Sequence, residues 1–212
     1  PQTLQNIADA QHANGAVPTT APEYVVFEGP GMDAFAESPE WGCTFVVLPF
    51  MYYETYGDDS LIRKYYNGMR RYIDYMTTRA NDGIVSFGLG DWYDYGDFRA
   101  GFSRNTPVPL VATAHYYMVV RYLVEAARML DNRYDVAYYT HLGEEINKAF
   151  HREFYHKDTR QYGTGSQCSN ALPLFLGMVP ADDRQAVLDN LVADIKRHGN
   201  RLTTGDVGNR YL

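Results

Sequence analysis

Cysteine is scarce in this chain: Cys43 and Cys168 are the two among 212 residues. That excludes the disulfide-dense scaffolds of small secreted domains. Their apolar or small neighbours favour two buried free thiols, with one bridge between them as the alternative, and the compartment stays open. Basic charge is scarce too. Nineteen Lys and Arg against 26 Asp and Glu leave a net charge of -7, and Arg63-Lys64 and Arg70-Arg71 read as exposed helix faces. Without a basic stripe to neutralise phosphates, nucleic-acid binding is excluded. No run of about eighteen apolar residues is present, so no membrane span is expected. The segment from Pro1 has neither the charged nor the apolar region of a signal peptide. The six histidines form no H-E-x-x-H, and His151 and His156, five apart, point two ways on a helix. With no Walker loop, G-x-S-x-G elbow or dinucleotide fingerprint beyond the short Gly88-Leu89-Gly90, neither a metal nor a cofactor is expected.

What is present is a globular balance, 45% hydrophobic and 21% charged, with enough chain for one ordinary domain. Aromatics reach 15%, including 19 tyrosines. A tyrosine buries a ring and keeps a hydroxyl to satisfy, which suits either a wide core around a wet polar cavity or simply a tyrosine-rich core.

Apolar spacing predicts helices in alternating pairs. A short polar helix spans residues 2–14 up to Gly15, and a Pro- and Gly-rich loop follows, in which Tyr24–Phe27 suggests a short strand. Ser38-Pro39-Glu40 has the cap, proline and acid of a helix start, predicting a helix to about Tyr56 that is apolar all round and ended by Gly57. From Leu61 the points Tyr65, Met69, Ile73 and Met76 mark an outer, amphipathic helix. Residues 81–106 form a long break, unusual enough in length to suggest function, with Ile84–Phe87 as a candidate strand. Thr106-Pro107 opens an apolar helix to about Leu130, and Leu142, Ile146, Phe150 and Phe154 mark its outer partner. The third cycle is a loop at 156–165, an apolar helix at 166–178 bent at Pro173, and an outer helix with a capping box at Asp182 and Gln185 that closes at His198-Gly199. Thr203-Thr204-Gly205-Asp206 reads as the start of a fourth inner helix.

Inner–outer hairpins of this kind are the units of an α/α toroid, so the expected fold is all-α, about half of an (α/α)6 barrel cut within an element. A helical solenoid fits less well, because Trp41, Trp92, Ser166 and Asp206 are separated by unequal intervals of 51, 74 and 40 residues. In the barrel, Trp41, the Gly88–Gly96 stretch, residues 163–166 and residues 204–206 all precede or open inner helices and share one mouth.

The stretch Gly88–Gly96 places two carboxylates, a tryptophan and two tyrosines between glycines. Aromatic faces suit the C–H faces of a sugar, and carboxylates suit its hydroxyls. Glycoside hydrolysis uses paired carboxylates, for which Asp91 and Asp94 are the local candidates; each is equally readable as a turn residue or cap. Trp41 has a core reading beside its pocket reading, and Asp206 has one as a helix cap.

The segments PEWGCTFVVLPF (Pro39–Phe50), SFGLGDWYDYG (Ser86–Gly96), TPVPLVATAHYY (Thr106–Tyr117), YGTGSQCSNALPLFLGMVP (Tyr162–Pro180) and HGNRLTTGDVGNRYL (His198–Leu212) resemble, in order and across essentially the whole chain, the bacterial α-L-rhamnosidases of glycoside hydrolase family seventy-eight. The resemblance implies an (α/α)6 barrel that hydrolyses terminal α-L-rhamnose with inversion and without metal chemistry. It implies that Trp41 and Trp92 line the rhamnose pocket beside Asp91. It also implies that the general acid lies before the first matched segment and the general base after the last, so that no catalytic residue falls in 1–212. The substrate-binding residues expected are Trp41, Asp91, Trp92, Tyr93, Asp94 and Asp206. The expected partners are a rhamnose-containing carbohydrate and the remaining half of the barrel, without which the chain alone is expected to be inactive. Another α/α-barrel glycosidase and a non-catalytic carbohydrate-binding or scaffold module are the alternatives.

Overall fold

A computed structural model describes residues 1–212. Three pairs of helices carry the fold, each pair joined by a short turn and packed along its length. After α1 (Gln2–Ala10) and the single turns α2 (Asp33–Ala36) and α3 (Pro39–Gly42), the pairs are α4 (Thr44–Tyr56) with α5 (Ser60–Arg79), α6 (Val108–Met129) with α7 (Arg133–Phe154), and α8 (Gln167–Phe175) with α9 (Ala181–Arg197). The all-α expectation holds, and α6 is the central element, packed against α3, α4, α5, α7 and α8. No helix is long and apolar enough to cross a membrane.

Local chemistry explains most boundaries. Gly57 ends α4 in the left-handed conformation at φ 69°, which costs glycine nothing. Pro39 occupies the first turn of α3, where its missing N–H is no loss. The outer helix α5 buries Tyr65, Met69, Ile73 and Met76 on one stripe, as their spacing predicts.

Several boundaries differ from expectation. Helix α1 stops at Ala10, because Gln11 turns its side-chain amide to the carbonyls of Gly15 and Gly68. Thr106 does not cap α6: Pro107 takes that position, and the Thr106 hydroxyl bonds to Ser166 Oγ at 2.7 Å. Asp182 and Gln185 form no capping box, since the extended Pro180 caps α9 two residues earlier than a box requires and Gln185 donates to Asp189 instead. Neither Tyr24–Phe27 nor Ile84–Phe87 is a strand, because neither finds a partner; a single bridge joins Asn81 to Ile84. The loop expected at 156–165 contains a small antiparallel hairpin, β1 (Tyr155–His156) and β2 (Gln161–Tyr162). Residues 203–205 form no helix, Asp206 and Val207 turn the chain, and a 3-10 helix follows over Gly208–Tyr211.

The buried tyrosines belong to the core, with most of their hydroxyls satisfied by side chains. Tyr66 donates to Asp135 Oδ2 at 2.6 Å and Tyr139 to Asp74 Oδ1 at 3.1 Å, tying α5 to α7, while Tyr116 pairs with Thr77 at 2.7 Å. Phe150 is fully buried with Phe154 and Tyr162 around it at ring separations of 5.0 and 5.6 Å. Phe150→Ala leaves a cavity that these rings cannot collapse into, so a loss of about 3–5 kcal/mol in denaturant unfolding is expected.

Helix α4 is not buried all round. Met51, Tyr53 and Tyr56 are exposed, Tyr56 to 69%. On α8, Phe175 is likewise exposed.

Candidate functional site

The loop that opens at Gly88 is tied to the start of α3 by two residues. The Leu89 N–H donates to Ser38 Oγ at 3.1 Å, the Gly90 N–H donates to Glu40 Oε1 at 2.9 Å, and the Ser38 hydroxyl donates to Glu40 Oε2. Burial raises the Glu40 carboxyl from its ordinary value to about 7, against the opposing pull of Ser38 and the backbone donors. Glu40 therefore holds the pocket loop, a role beyond that of an acid in a first helical turn. A long-range tie of this kind leaves no trace in local spacing.

The two loop carboxylates lie beneath the surface at 0% exposure. Asp91 Oδ1 accepts the Gly208 N–H at 2.6 Å, and its other oxygen faces Cys168. Burial raises the Asp91 carboxyl, while the Gly205 and Gly208 N–H groups and the Cys168 thiol hold the rise back. Asp94 Oδ2 accepts the N–H groups of Arg104 and Asn105 at 2.8 and 2.6 Å. Expected in a wall facing a sugar, each carboxylate gives one oxygen to backbone donors that would otherwise be buried without partners, and its other oxygen, Asp91 Oδ2 or Asp94 Oδ1, is buried with no hydrogen-bond partner. They shape the loop from within.

The aromatic residues between them point outward. The half-buried Trp92 ring packs edge-on against Phe35 and Phe102, at 5.4 and 5.5 Å, and beside Tyr93 at 5.1 Å. Tyr93 is held at φ 64° by its N–H bond to Gly101 O and keeps an exposed side chain. The Trp92 carbonyl accepts the Asp206 N–H at 2.8 Å, which brings the exposed Asp206 against this loop.

Trp41 and Asp206 meet in one cavity of about 330 Å³, between α3, the start of α4, α6 and the 3-10 turn. Glu40, His115, Arg210 and Tyr211 also line it. His115 Nδ1 donates to Val111 O at 2.8 Å, so its Nε2 accepts from the Tyr211 hydroxyl at 3.1 Å. Burial lowers its pKa to about 4 and keeps it neutral. Sequence reasoning passed over His115 and Tyr211 because their pairing spans 96 residues. Of the six expected residues, the structure thus brings Trp41 and Asp206 across one cavity, sets Trp92 and Tyr93 beside Asp206, and places Asp91 and Asp94 underneath.

The whole chain, residues 1–212, matches the family described as the bacterial alpha-L-rhamnosidase 6 hairpin glycosidase domain. An alpha-L-rhamnosidase of Streptomyces avermitilis is 30% identical over 211 residues, and one of Formosa agariphila is 30% identical over 183. These cover 99% and 82% of the chain, and the chain spans only 19% of the length of each. Among solved structures, the alpha-L-rhamnosidase from Dictyoglumus thermophilum superposes over 99% of the chain and 23% of its own, with a TM-score of 0.88 and 31% identity. The Streptomyces avermitilis alpha-L-rhamnosidase complexed with L-rhamnose covers 98% of the chain and 19% of its own, with a TM-score of 0.84 and 27% identity. With the family match extending over every residue, the chain belongs to the bacterial α-L-rhamnosidase six-hairpin glycosidase family.

Proposed function

We propose that residues 1–212 are an incomplete portion of an (α/α)6 catalytic barrel, and that the whole protein is an inverting glycosidase that removes terminal α-L-rhamnose from glycosides or polysaccharides. In this reading the chain supplies the wall that holds the sugar. The observation that carries it is the cavity faced by Trp41 and Asp206, with Trp92 and Tyr93 next to Asp206. A tryptophan face takes the C–H surface of the ring and an exposed carboxylate takes its hydroxyls. Asp91 and Asp94 serve this wall by fixing its backbone. In keeping with the family resemblance, the acid and base are placed outside these residues, and Asp91 and Asp94 each give one oxygen to backbone N–H groups. The exposed apolar side chains of Met51, Tyr53 and Tyr56 on α4, with Phe175 of α8, support a further set of hairpins that closes the barrel against them.

The test is turnover of an aryl α-L-rhamnoside by the full-length protein, set against the matching aryl glucoside and galactoside, with the anomer of the released sugar read by NMR. Inverted rhamnose is expected from the full-length protein and no turnover from residues 1–212 alone. Trp92→Ala should reduce kcat/KM by about tenfold or more, equivalent to about 1.4 kcal/mol of transition-state binding. An unchanged rate would remove Trp92 from the pocket, and preference for another glycoside would assign the barrel to a different sugar.

A further inference from the structure

A second cavity, of about 620 Å³, opens on the other side of the segment that carries Asp206. Its walls are the Tyr95–Asp97 turn, the Thr164–Ser166 turn before α8, the end of α9 and residues 201–203. We infer that this cavity binds a neutral sugar unit, the one to which the rhamnose is attached. The inference rests on the proposed rhamnosidase reading for its place in the substrate, while the sugar-binding claim stands on the cavity itself.

Three features select the ligand. The first is a platform: the Tyr95 side chain is 67% exposed, lines the cavity and stacks on no other ring. Such a face suits the C–H surface of a pyranose. The second is unused hydrogen-bonding capacity. Asn105 Nδ2 is committed to the carbonyls of Tyr95 and Thr203 at 2.8 and 3.2 Å, which leaves its Oδ1 as an acceptor. Asp194 is 3% exposed, its Oδ1 pairs with Arg197, and its Oδ2 has no hydrogen-bond partner. The Nδ1 proton of His198, 3.2 Å from that oxygen, is directed to the Asp194 carbonyl at 2.9 Å. The Arg201 guanidinium is exposed and pairs with no carboxylate. Acceptors and donors in one polar, open cavity are what a polyol satisfies.

The third feature is charge. Asp97 and Asp194 in the lining oppose an anion, and the guanidinium groups of Arg197 and Arg201 around them oppose a metal ion. A neutral, hydroxyl-rich ligand remains.

The position fits one substrate spanning both cavities. Thr203 lines the outer cavity and Asp206 the inner one, three residues apart, or about 10 Å of extended chain. That dividing segment is fixed before any ligand arrives. The Tyr95 N–H donates to Thr203 O at 3.1 Å, the Thr203 N–H donates to Gln167 Oε1 at 2.9 Å, and the Asp206 N–H donates to Trp92 O at 2.8 Å.

The test is binding, followed by NMR, of a panel of neutral methyl hexopyranosides (gluco, galacto and manno) and one methyl glucuronide to the full-length protein. At least one neutral glycoside should bind saturably without displacing free L-rhamnose. Tyr95→Ala should weaken that binding by about fivefold or more, the size of a stacking contact. Arg201→Ala, on an exposed side chain that the fold does not use, should weaken it too. No binding by any neutral glycoside, binding by the glucuronide alone, competition with rhamnose, or indifference to both substitutions would overturn the inference. Failure of the full-length protein to hydrolyse an aryl rhamnoside strikes the rhamnosidase reading and leaves this binding result to be judged by itself.

Discussion

Gly205→Ala is expected to unseat the pocket wall. A Cβ at this buried position would sit 2.1 Å from the Trp92 carbonyl oxygen and 2.6 Å from that of Asp91. Both are backbone atoms of a loop already anchored by Glu40 and Asp94, so neither can yield cheaply. The two segments must separate by about an ångström to reach ordinary contact. Separation breaks the Asp206 N–H bond to Trp92 O and strains the 2.6 Å bond from Gly208 to Asp91. The second loss matters more, since it strips the buried Asp91 of a donor that offsets its burial. Overpacking and a weakened buried carboxylate together should cost about 3 kcal/mol or more. In the full-length protein, an Asp206 displaced by about an ångström should lower kcat/KM for an aryl α-L-rhamnoside by about a hundredfold. Calorimetry and initial rates measure the two effects. A melting temperature within a degree of the parent, with full activity, would show that the close approach is not required.

Glu40→Gln is expected to remove most of one pH dependence of stability. With the folded carboxyl at about 7 and its ordinary value at 4.5, the folded state binds the extra proton between those values. Stability contributed by the protonated form is complete below pH 4.5, falls between pH 4.5 and 7, and is gone above that window. The shift corresponds to about 3 kcal/mol. Glutamine keeps an oxygen for the Gly90 N–H and an amide to donate to Ser38 Oγ, so it imitates the protonated acid. The variant should match the parent near pH 4.5 and exceed it at pH 8, with a flatter profile between. Equal profiles for the two proteins would return Glu40 to an ordinary carboxylate. Glu40→Ala has the opposite outcome: with Gly90 N–H left buried and unbonded, a loss of about 1–3 kcal/mol is expected at every pH.

The hairpin plan was legible because helix pairing is written locally. Tyr65, Met69, Ile73 and Met76 declare the inward stripe of α5 in their own spacing, and Gly57 and Pro39 carry their positions in their backbone chemistry. The pocket stretch was legible as a region, from the density of aromatics and glycines between two helices. Its individual roles were not. Asp91 and Asp94 look identical in sequence to carboxylates that meet a ligand, and only the return of residues 205–208 and 104–105 against them decides that they are buried. Glu40 has its partner Gly90 50 positions away in the loop, Ser38 has Leu89 51 positions away, and no periodicity encodes such pairs. Composition left the tyrosines open between a cavity and a core, and the partners that place Tyr66, Tyr116 and Tyr139 in the core, Asp135, Thr77 and Asp74, reach them from other helices.

The two cysteines give this region an internal clock. Cys43 is buried with its thiol donating to the Glu40 carbonyl at 3.2 Å and pushed up to about 12, chiefly by burial, and Cys168 is raised well above the usual thiol range for the same reason. Neither offers a thiolate, so peroxide and alkylating reagents find nothing to attack while the fold is closed. Cys168 touches the backbone of Gly208 and the carboxylate of Asp91, so the wall must part from its anchor before the sulfur is reachable. Pulsed iodoacetamide labelling at Cys168, read by mass spectrometry, should therefore time the opening of the Gly88–Gly96 loop. It should run much faster in Gly205→Ala than in the parent, with Cys43 reporting on the α3 side in the same sample.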